Sequence, residues 1–509
     1  MSLIRELLAL QEEKGWLSEP DLRALAQRLR APLYRLQGLV SFYPHFRSQP
    51  PPGREIGVCR DLPCLLRGAP DLLAQLRAAA GSGVEVRAVS CLGRCDAAPA
   101  CAVNEVPVAP ADARVLTAPL PAPADEPAAR ARRFQIDPYD SPADRYGVLA
   151  AAPAAEAVIA ELSAAGLRGM GGAGFPTGQK WGLVRAETRT PKYVICNADE
   201  SEPGTFKDRV LLAEAPHLVL EGMALAGRMV GAERAILYIR HEYAPERRAL
   251  ERELDAATAA GKLRGFPIEI FVSPGGYILG EETALLEALE DRRGEPRNKP
   301  PFPGTHGLHG LPTLINNVET LAMVPAIIGR GSGWWKAQGV RGCAGLKLIA
   351  VSGDVARPGV YEIQMGTTVA ELIERAGGVA GGRRLLAFAP GGASSNFLPA
   401  AQADVALDFA ALAKAGSMLG SGALVVLAEG RDLLAVAENV THFFARESCG
   451  KCVPCRVGSE KGALLLAARG DGLESRLAEL DETLRLTSIC GLGQVALGPA
   501  LSILRNFRA

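Results

Sequence analysis

Four cysteines in the C-terminal part of the chain carry the clearest chemistry in this sequence. Cys449, Cys452 and Cys455 stand at C-x2-C-x2-C spacing within Arg446–Gly458, and Cys490 follows alone in Thr487-Ser488-Ile489-Cys490-Gly491. Three thiolates gathered by a tight turn, with one more from a distance, are the usual ligand set of a [4Fe–4S] cluster. Zinc is the alternative, but structural zinc sites usually use two separated pairs. A second quartet, Cys59, Cys64, Cys91 and Cys95, reads C-x4-C … C-x3-C, each pair following a β run. Four thiolates on two loops suit a [2Fe–2S] cluster, with zinc or a domain that has lost its cluster as the alternatives. Such clusters pass single electrons, so the remainder of the chain must contain whatever supplies them.

Between the quartets lies a region rich in groups that hold phosphates and sugars. Gly169, Gly171 and Gly174 fall at G-x-G-x-x-G spacing in Gly166–Trp181. A dinucleotide fingerprint needs a strand before it and a helix directly after it. Here a helical pattern over 154–165 precedes and Phe175-Pro176-Thr177-Gly178 follows, so that reading is rejected. The physical reading stands: repeated glycines let backbone N–H groups approach phosphates, and Lys180 adds a cation. A strand at Tyr193–Cys196 ends in Asn197-Ala198-Asp199-Glu200-Ser201-Glu202, and the acidic turn runs on to Asp208. Acceptors packed at a strand's end suit ribose hydroxyls and flavin ring nitrogens; a solvated acidic turn is the alternative. Further strands are expected at Ala235–Ile239 and Ile268–Val272. The second leads to Gly275–Thr283, where Glu281 and Glu282 open a helix, as the macrodipole favours in any case. A Gly/Pro-rich loop over 294–320 holds Lys299, Phe302, Asn316 and Asn317.

These groups need scaffolds, and 509 residues suffice for about three domains. The expected class is α/β multidomain. Residues 1–45 read as helices, 46–120 as a small α/β domain and 121–149 as linker, the Ala/Pro/Arg-rich stretch 109–133 having no periodicity. Residues 150–335 form the central α/β domain and 336–430 a small α/β module without a reactive set. Residues 431–509 form a helical bundle with the cysteine loop at its edge. Lys+Arg and Asp+Glu are 56 each, which gives no support to nucleic-acid or membrane-surface binding. No apolar run reaches the roughly eighteen residues of a spanning helix. Eleven cysteines in an intracellular-looking sequence favour metal ligation over disulfides, and the expectation is a cytoplasmic metalloprotein.

With these residues in view, 150–509 resembles the flavin-bearing, NADH-oxidising subunit of respiratory complex I, a module also found in soluble NAD-reducing hydrogenases and formate dehydrogenases. The motifs that carry the resemblance are Gly169–Trp181, Asn197–Asp208, Gly280–Leu285, Asn316–Thr320 and Glu447–Gly458 with Cys490. Residues 1–115 resemble the thioredoxin-like [2Fe–2S] subunit of the same enzymes, and the middle module their ubiquitin-like (SLBB-type) β-grasp insertion. The resemblance implies FMN, NAD, a [4Fe–4S] and a [2Fe–2S] cluster. It implies that Gly169, Gly171 and Lys180 hold FMN phosphate, and that Asn197, Asp199, Ser201, Glu281 with Gly280, Asn316 and Asn317 contact the flavin. Phe175, Glu202, Glu282, Lys299 and Phe302 then line the dinucleotide site, with Phe175 stacking on adenine and Glu202 and Glu282 tuning charge at the reaction centre. Leu183 replaces an aromatic usual after Lys-Trp, and the Cys455–Cys490 segment is shorter than in complex I. The fused N-terminal domain is most similar to the β subunit of a soluble molybdenum or tungsten formate dehydrogenase. The diaphorase subunit of an NAD-reducing hydrogenase, or a complex I-type subunit, is the alternative. The implied partners are NAD(H), a molybdopterin-containing or hydrogenase-type large subunit and a further small [2Fe–2S] subunit, with no nucleic acid and no membrane insertion.

Overall fold

A computed structural model describes residues 2–122 and 133–507. Three helices, Leu3–Lys14, Glu19–Leu29 and Leu33–Phe42, begin the chain. Ser2 and Ser18 cap the first two, and Leu3, Ile4, Leu7, Leu22 and Leu25 form their buried stripe. The thioredoxin-like sheet follows: β1 (Arg54–Cys59), β2 (Val84–Val89), β3 (Cys101–Val103) and β4 (Val106–Val108), in the order β2-β1-β3-β4. β1 and β2 are parallel with Cys59 opposite Val89, so both cysteine loops leave one end of the sheet.

The central sheet is wholly parallel and explains where a site can lie. β5 (Tyr193–Ala198), β6 (Arg234–Arg240), β7 (Ile268–Ser273) and β8 (Thr313–Asn317) lie in the order β7-β6-β5-β8. The chain steps outward from β5 to β7 and then returns to the other side of β5. The strand order therefore reverses between β5 and β8, and in open parallel sheets ligands bind beyond the strand carboxyl ends at such a switch point. The helix Pro216–Val230 is buried on nearly all sides and crosses the helix Val318–Ala337 backbone to backbone. A Cβ on Gly222 would lie 2.1 Å from the Leu321 carbonyl oxygen, so only glycine permits this crossing.

The third sheet is the β-grasp module: β9 (Leu346–Gly353), β10 (Gly359–Gln364), β11 (Leu385–Ala389), β12 (Leu398–Pro399) and β13 (Ala423–Ala428), in the order β10-β9-β13-β11-β12. The helices Leu433–Glu447, Val453–Ala468, Leu473–Thr487 and Gly498–Asn506 close the C-terminal bundle. Among the described residues no single helix is long and apolar enough to cross a membrane. The stretch expected as linker divides. Residues 123–132 lie outside the described residues, whereas Phe134, Ile136, Tyr146 and Leu149 are buried in the central core. Tyr139 donates to Glu221 at 2.7 Å and Leu149 N–H to the same carboxylate at 2.8 Å. That half of the segment packs because its sparse apolar residues find the helix Pro216–Val230.

A buried ion network joins the central domain to the β-grasp module. Glu319 receives Lys207 at 2.8 Å and also Lys347, with all three side chains excluded from solvent, and Leu348 N–H donates to its other oxygen at 2.7 Å. Burial drives the Lys347 ammonium down to about 8 even with Glu319 beside it. Glu319→Ala would leave two buried lysines short of their shared anion. The expected loss of roughly 3–5 kcal/mol lowers the melting transition of the central domain by about 6–20 °C, measurable by calorimetry.

Candidate functional site

The carboxyl ends of β5 and β8 bring the two asparagine motifs together: Asn197 pairs in register with Asn317, and Cys196 with Asn316. Trp181 Nε1 donates to Asn316 Oδ1 at 2.9 Å, and Asn317 Nδ2 to Asp208 Oδ2 at 2.6 Å. Asn197 Nδ2 donates to the Gly280 carbonyl at 2.8 Å, tying the end of β5 to the turn Tyr277–Gly280.

The acidic turn is not solvated. Asp199, Glu200 and Asp208 are buried, each with specific donors. Asp199 accepts from Ser201 Oγ (2.5 Å) and from Ser273 Oγ at the end of β7 (2.9 Å); burial raises its carboxyl to about 6 against these donors and Arg240. Glu200 accepts the Asp208 and Arg209 amides at 2.8 and 2.9 Å and closes the turn. Its carboxyl is raised to about 7, first by burial and then by the charge of Asp208. Glu202 accepts from Tyr277 Oη at 2.7 Å and from both Ser394 N and Oγ at 2.7 Å, and burial raises it despite them.

The glycine loop is pinched at its base by Gly169 N to Phe175 O (2.9 Å) and Thr177 N to Leu167 O (2.8 Å), and Met170 N donates to Thr320 Oγ1 at 2.8 Å. This sets Gly171 against the end of β8, where an added Cβ would meet Asn317 Cβ at 3.0 Å. The loop is thus a backbone-lined cradle with no side chain at its closest point, and its donors fit a phosphate-bearing flavin. Lys180, on the helix Thr177–Ala186, donates to the Ile315 carbonyl at 2.8 Å and lies 3.4 Å from Glu282.

Glu281 and Glu282 begin the helix Glu282–Leu289, and Glu281 caps it through the amides of Thr283 and Ala284. Lys299 bridges the two carboxylates at 2.9 Å each. Burial pushes the Glu282 carboxyl up, but Lys180 and Lys299 outweigh it and hold the group below its ordinary value. Phe175, Leu183 and Phe302 are exposed at 42%, 58% and 59%, large apolar surfaces available to a planar ring.

Cys449, Cys452, Cys455 and Cys490 face a small enclosed cavity walled by Ile278, Pro296, Ile489 and Leu492. Cys452 and Cys490 sit at the N-caps of the helices Val453–Ala468 and Gly491–Val495. Burial pushes the Cys455 thiol to about 11 and the Cys490 thiol to about 12. Four convergent thiols in an apolar pocket fit an iron–sulfur core, whose irons would hold them as thiolates. Ile278 belongs to the same turn whose Gly280 carbonyl binds Asn197, so one turn separates this cavity from the ends of β5 and β8.

In the N-terminal quartet all four thiols are free and buried. Cys91 Sγ lies 3.5 Å from Cys95 Sγ, and the Cys59 thiol lies against both Cys64 and Cys91. Asp61 ties the two loops, accepting the Cys91 amide at 2.7 Å, while its carbonyl accepts Cys64 N–H at 2.9 Å. Among the described residues no three His, Cys, Asp or Glu side chains close on one point as around a bare ion; these thiols touch in the series Cys64–Cys59–Cys91–Cys95. The loop docks on the central domain through Arg94–Glu246 (2.6 Å) and Arg209–Asp96 (2.8 Å), and Arg240 donates to the carbonyls of Cys91 and Glu200. Cys101 is a fully buried residue of β3, as expected of a core thiol.

Sequence reasoning missed Tyr277, Ser394 and Glu447. The Glu447 carboxylate accepts from Ser90 Oγ and, at 3.0 Å, from Tyr277 N. Ser394, which donates to Glu202, belongs to the middle module, read from sequence as having no reactive set. It lies in the glycine-rich loop Gly391–Ser395 after β11, whose two glycines were the available signal.

Comparisons with known proteins agree with this geometry. Residues 162–326 match the Nuo51 FMN-binding domain, 1–118 the thioredoxin-like [2Fe-2S] ferredoxin family, 348–395 the SLBB domain and 435–509 the NADH-ubiquinone oxidoreductase-F iron-sulfur binding region. The second F subunit of the NADH-quinone oxidoreductase of Rhizobium meliloti (strain 1021) is 43% identical over 366 residues, 69% of this chain and 87% of that protein. The corresponding F subunit of Salmonella typhimurium is 41% identical over 367 residues, 69% and 82% of the two chains. A chain in the crystal structure of an air-oxidised NAD+-reducing [NiFe]-hydrogenase superposes with a TM-score of 0.87 at 35% identity, covering 98% of this chain and 92% of its own. Carrying FMN-binding, [2Fe–2S] and [4Fe–4S] domains on one polypeptide, the chain belongs to the family of NADH-quinone oxidoreductase F subunits.

Proposed function

We propose that this chain is the NAD(H)-reacting subunit of a cytoplasmic multisubunit oxidoreductase, exchanging hydride between NAD(H) and FMN and single electrons with its two clusters. One observation carries the reading: the turn Tyr277–Gly280 faces the flavin-side strand ends through Gly280, the four-thiol cavity through Ile278 and Glu202 through Tyr277. Bound FMN supplies the exchange between two-electron and one-electron chemistry. The chain's own residues do positional work. The Gly171 amide, with Lys180, holds the phosphate, while Gly169, whose N–H is donated to the Phe175 carbonyl, closes the base of the loop. Asn197, Asp199, Ser201, Glu281, Asn316 and Asn317 orient the ring, and Phe175 and Phe302 offer stacking faces for the dinucleotide. Lys299 offers the dinucleotide its cation, and Glu282, kept ionised by Lys180 and Lys299, sets the local charge with Glu202. No side chain has to deliver a proton for hydride transfer between two rings held face to face.

Among the described residues nothing supplies a second substrate site, and a partner subunit takes that role. A molybdopterin-containing formate dehydrogenase subunit is the first proposal, resting on the family resemblance; the fused N-terminal domain does not separate it from the hydrogenase chain, which superposes over 98% of this one. A hydrogenase-type partner is the second, favoured by the near-complete superposition on the hydrogenase chain. The test is NADH-dependent dye reduction by the chain alone, with flavin and iron measured on the same sample. Activity with about one FMN and about six irons per chain supports both clusters, and about four irons makes the N-terminal domain structural. A folded protein with neither flavin nor activity overturns the reading.

A further inference from the structure

Glu447 stands where the separate units of the chain meet. It is the last residue of the helix Leu433–Glu447, two positions before Cys449. One carboxylate oxygen accepts from Ser90 Oγ, on the thioredoxin-like domain next to Cys91. The other accepts from the backbone N–H of Tyr277, on the central domain, at 3.0 Å. Tyr277 follows Gly275 and Gly276, whose φ angles are +89° and +116°. Two consecutive glycines make that backbone soft, so its position depends on an outside anchor at the next amide. The Tyr277 ring packs edge-on against Phe443, one turn back on the helix that carries Glu447, with centroids 4.9 Å apart. Its hydroxyl then donates to Glu202 Oε2 at 2.7 Å.

We propose that Glu447 is a positioning residue for the dinucleotide site: anchored by Ser90, it fixes the Tyr277 backbone and, through the Tyr277 hydroxyl, the carboxylate of Glu202. The proposal rests on the reading of Glu202 as a dinucleotide-site group. Burial, with the charge of Glu202 adding to it, raises the Tyr277 hydroxyl far above its ordinary value, so it stays a donor throughout the working pH range. The competing structural view is that Ser394, which gives Glu202 two hydrogen bonds of its own, holds that carboxylate unaided.

The test is the KM for NADH of the complete chain, with a dye taking electrons from the flavin and with iron and flavin measured for every variant. Tyr277→Phe and Glu447→Ala are each expected to raise KM about 3- to 10-fold with kcat changed less than about twofold. The double variant is expected to show no more than the larger single effect, because both act along one path. Ser90→Ala is expected to raise KM about 2- to 3-fold alone and not at all in the Tyr277→Phe background. Glu447→Gln is expected near wild type, since its amide can present Oε1 to Tyr277 N–H and donate from Nε2 to Ser90. Multiplying effects in the double variants overturn the proposal, as does a Gln variant as impaired as Ala. So does an unchanged KM in Ser90→Ala and Glu447→Ala at full cofactor content. Should Glu447→Ala lose iron, the Ser90 and Tyr277 pair decides alone. Glu202→Gln separates the two layers. A raised KM there with no effect of Ser90, Tyr277 or Glu447 refutes only the positioning role, whereas an unchanged KM refutes the reading of Glu202 beneath it.

Discussion

Gly171→Glu is expected to empty the flavin site while leaving the rest of the molecule intact. Gly171 lies where the loop comes against the end of β8, and a Cβ there would stand 3.0 Å from Asn317 Cβ and 3.5 Å from its Cγ. Its φ is not in the left-handed region, so the backbone accepts a side chain and the cost falls on the ligand space. A glutamate adds bulk and a negative charge where phosphate oxygens approach. Flavin content should fall at least about tenfold, equivalent to ~1.4 kcal/mol of binding, and dye reduction with it. Iron content should stay unchanged, because neither thiol quartet touches this loop. Gly171→Ala should fall between, since Asn317 need yield only a few tenths of an ångström. Full flavin content in the Glu variant would place the cofactor elsewhere.

The second large effect is expected from Cys490→Ala. This residue is the one thiol of its quartet contributed from outside the Cys449–Cys455 turn, and it caps a separate short helix. Without it three ligands face an apolar cavity with no protein donor to complete the set. Iron should drop by about four per chain while the [2Fe–2S] component persists. NADH should still bleach the flavin, but electrons should not pass beyond it to a partner subunit. Paramagnetic resonance of the NADH-reduced protein separates the two clusters directly. A retained four-iron signal would exclude Cys490 as a ligand.

How much of this is legible in the sequence depends on how local each signal is. The cysteine quartets and the glycine loop are patterns of a dozen residues, and spacing alone exposes their chemistry. The rejection of a dinucleotide fingerprint rests on the helix before Gly169, and the structure has the helix Ala155–Ala165 there. The parallel sheet's switch point is not legible, because the order β7-β6-β5-β8 is set by contacts between residues far apart in sequence. The acidic turn reads from its residues as a site, with a solvated turn as the alternative. The choice lies with Ser273 and Ser394, distant groups that give its carboxylates donors. β11 escapes detection because Leu385-Leu386-Ala387-Phe388-Ala389 suits a helix as well as a strand. Residues 133–149 read as linker because their proline, aspartate and arginine hide two anchoring aromatics, Phe134 and Tyr146.

The ion pairs that hold the thioredoxin-like domain, Arg94–Glu246 and Arg209–Asp96, join two parts of one polypeptide. Their encounter is therefore intramolecular and proceeds at the effective concentration that the tether sets. Two free chains meeting through the same contacts would separate on dilution. Here dilution leaves the docked population unchanged, and because both pairs are largely buried, salt screens them only weakly.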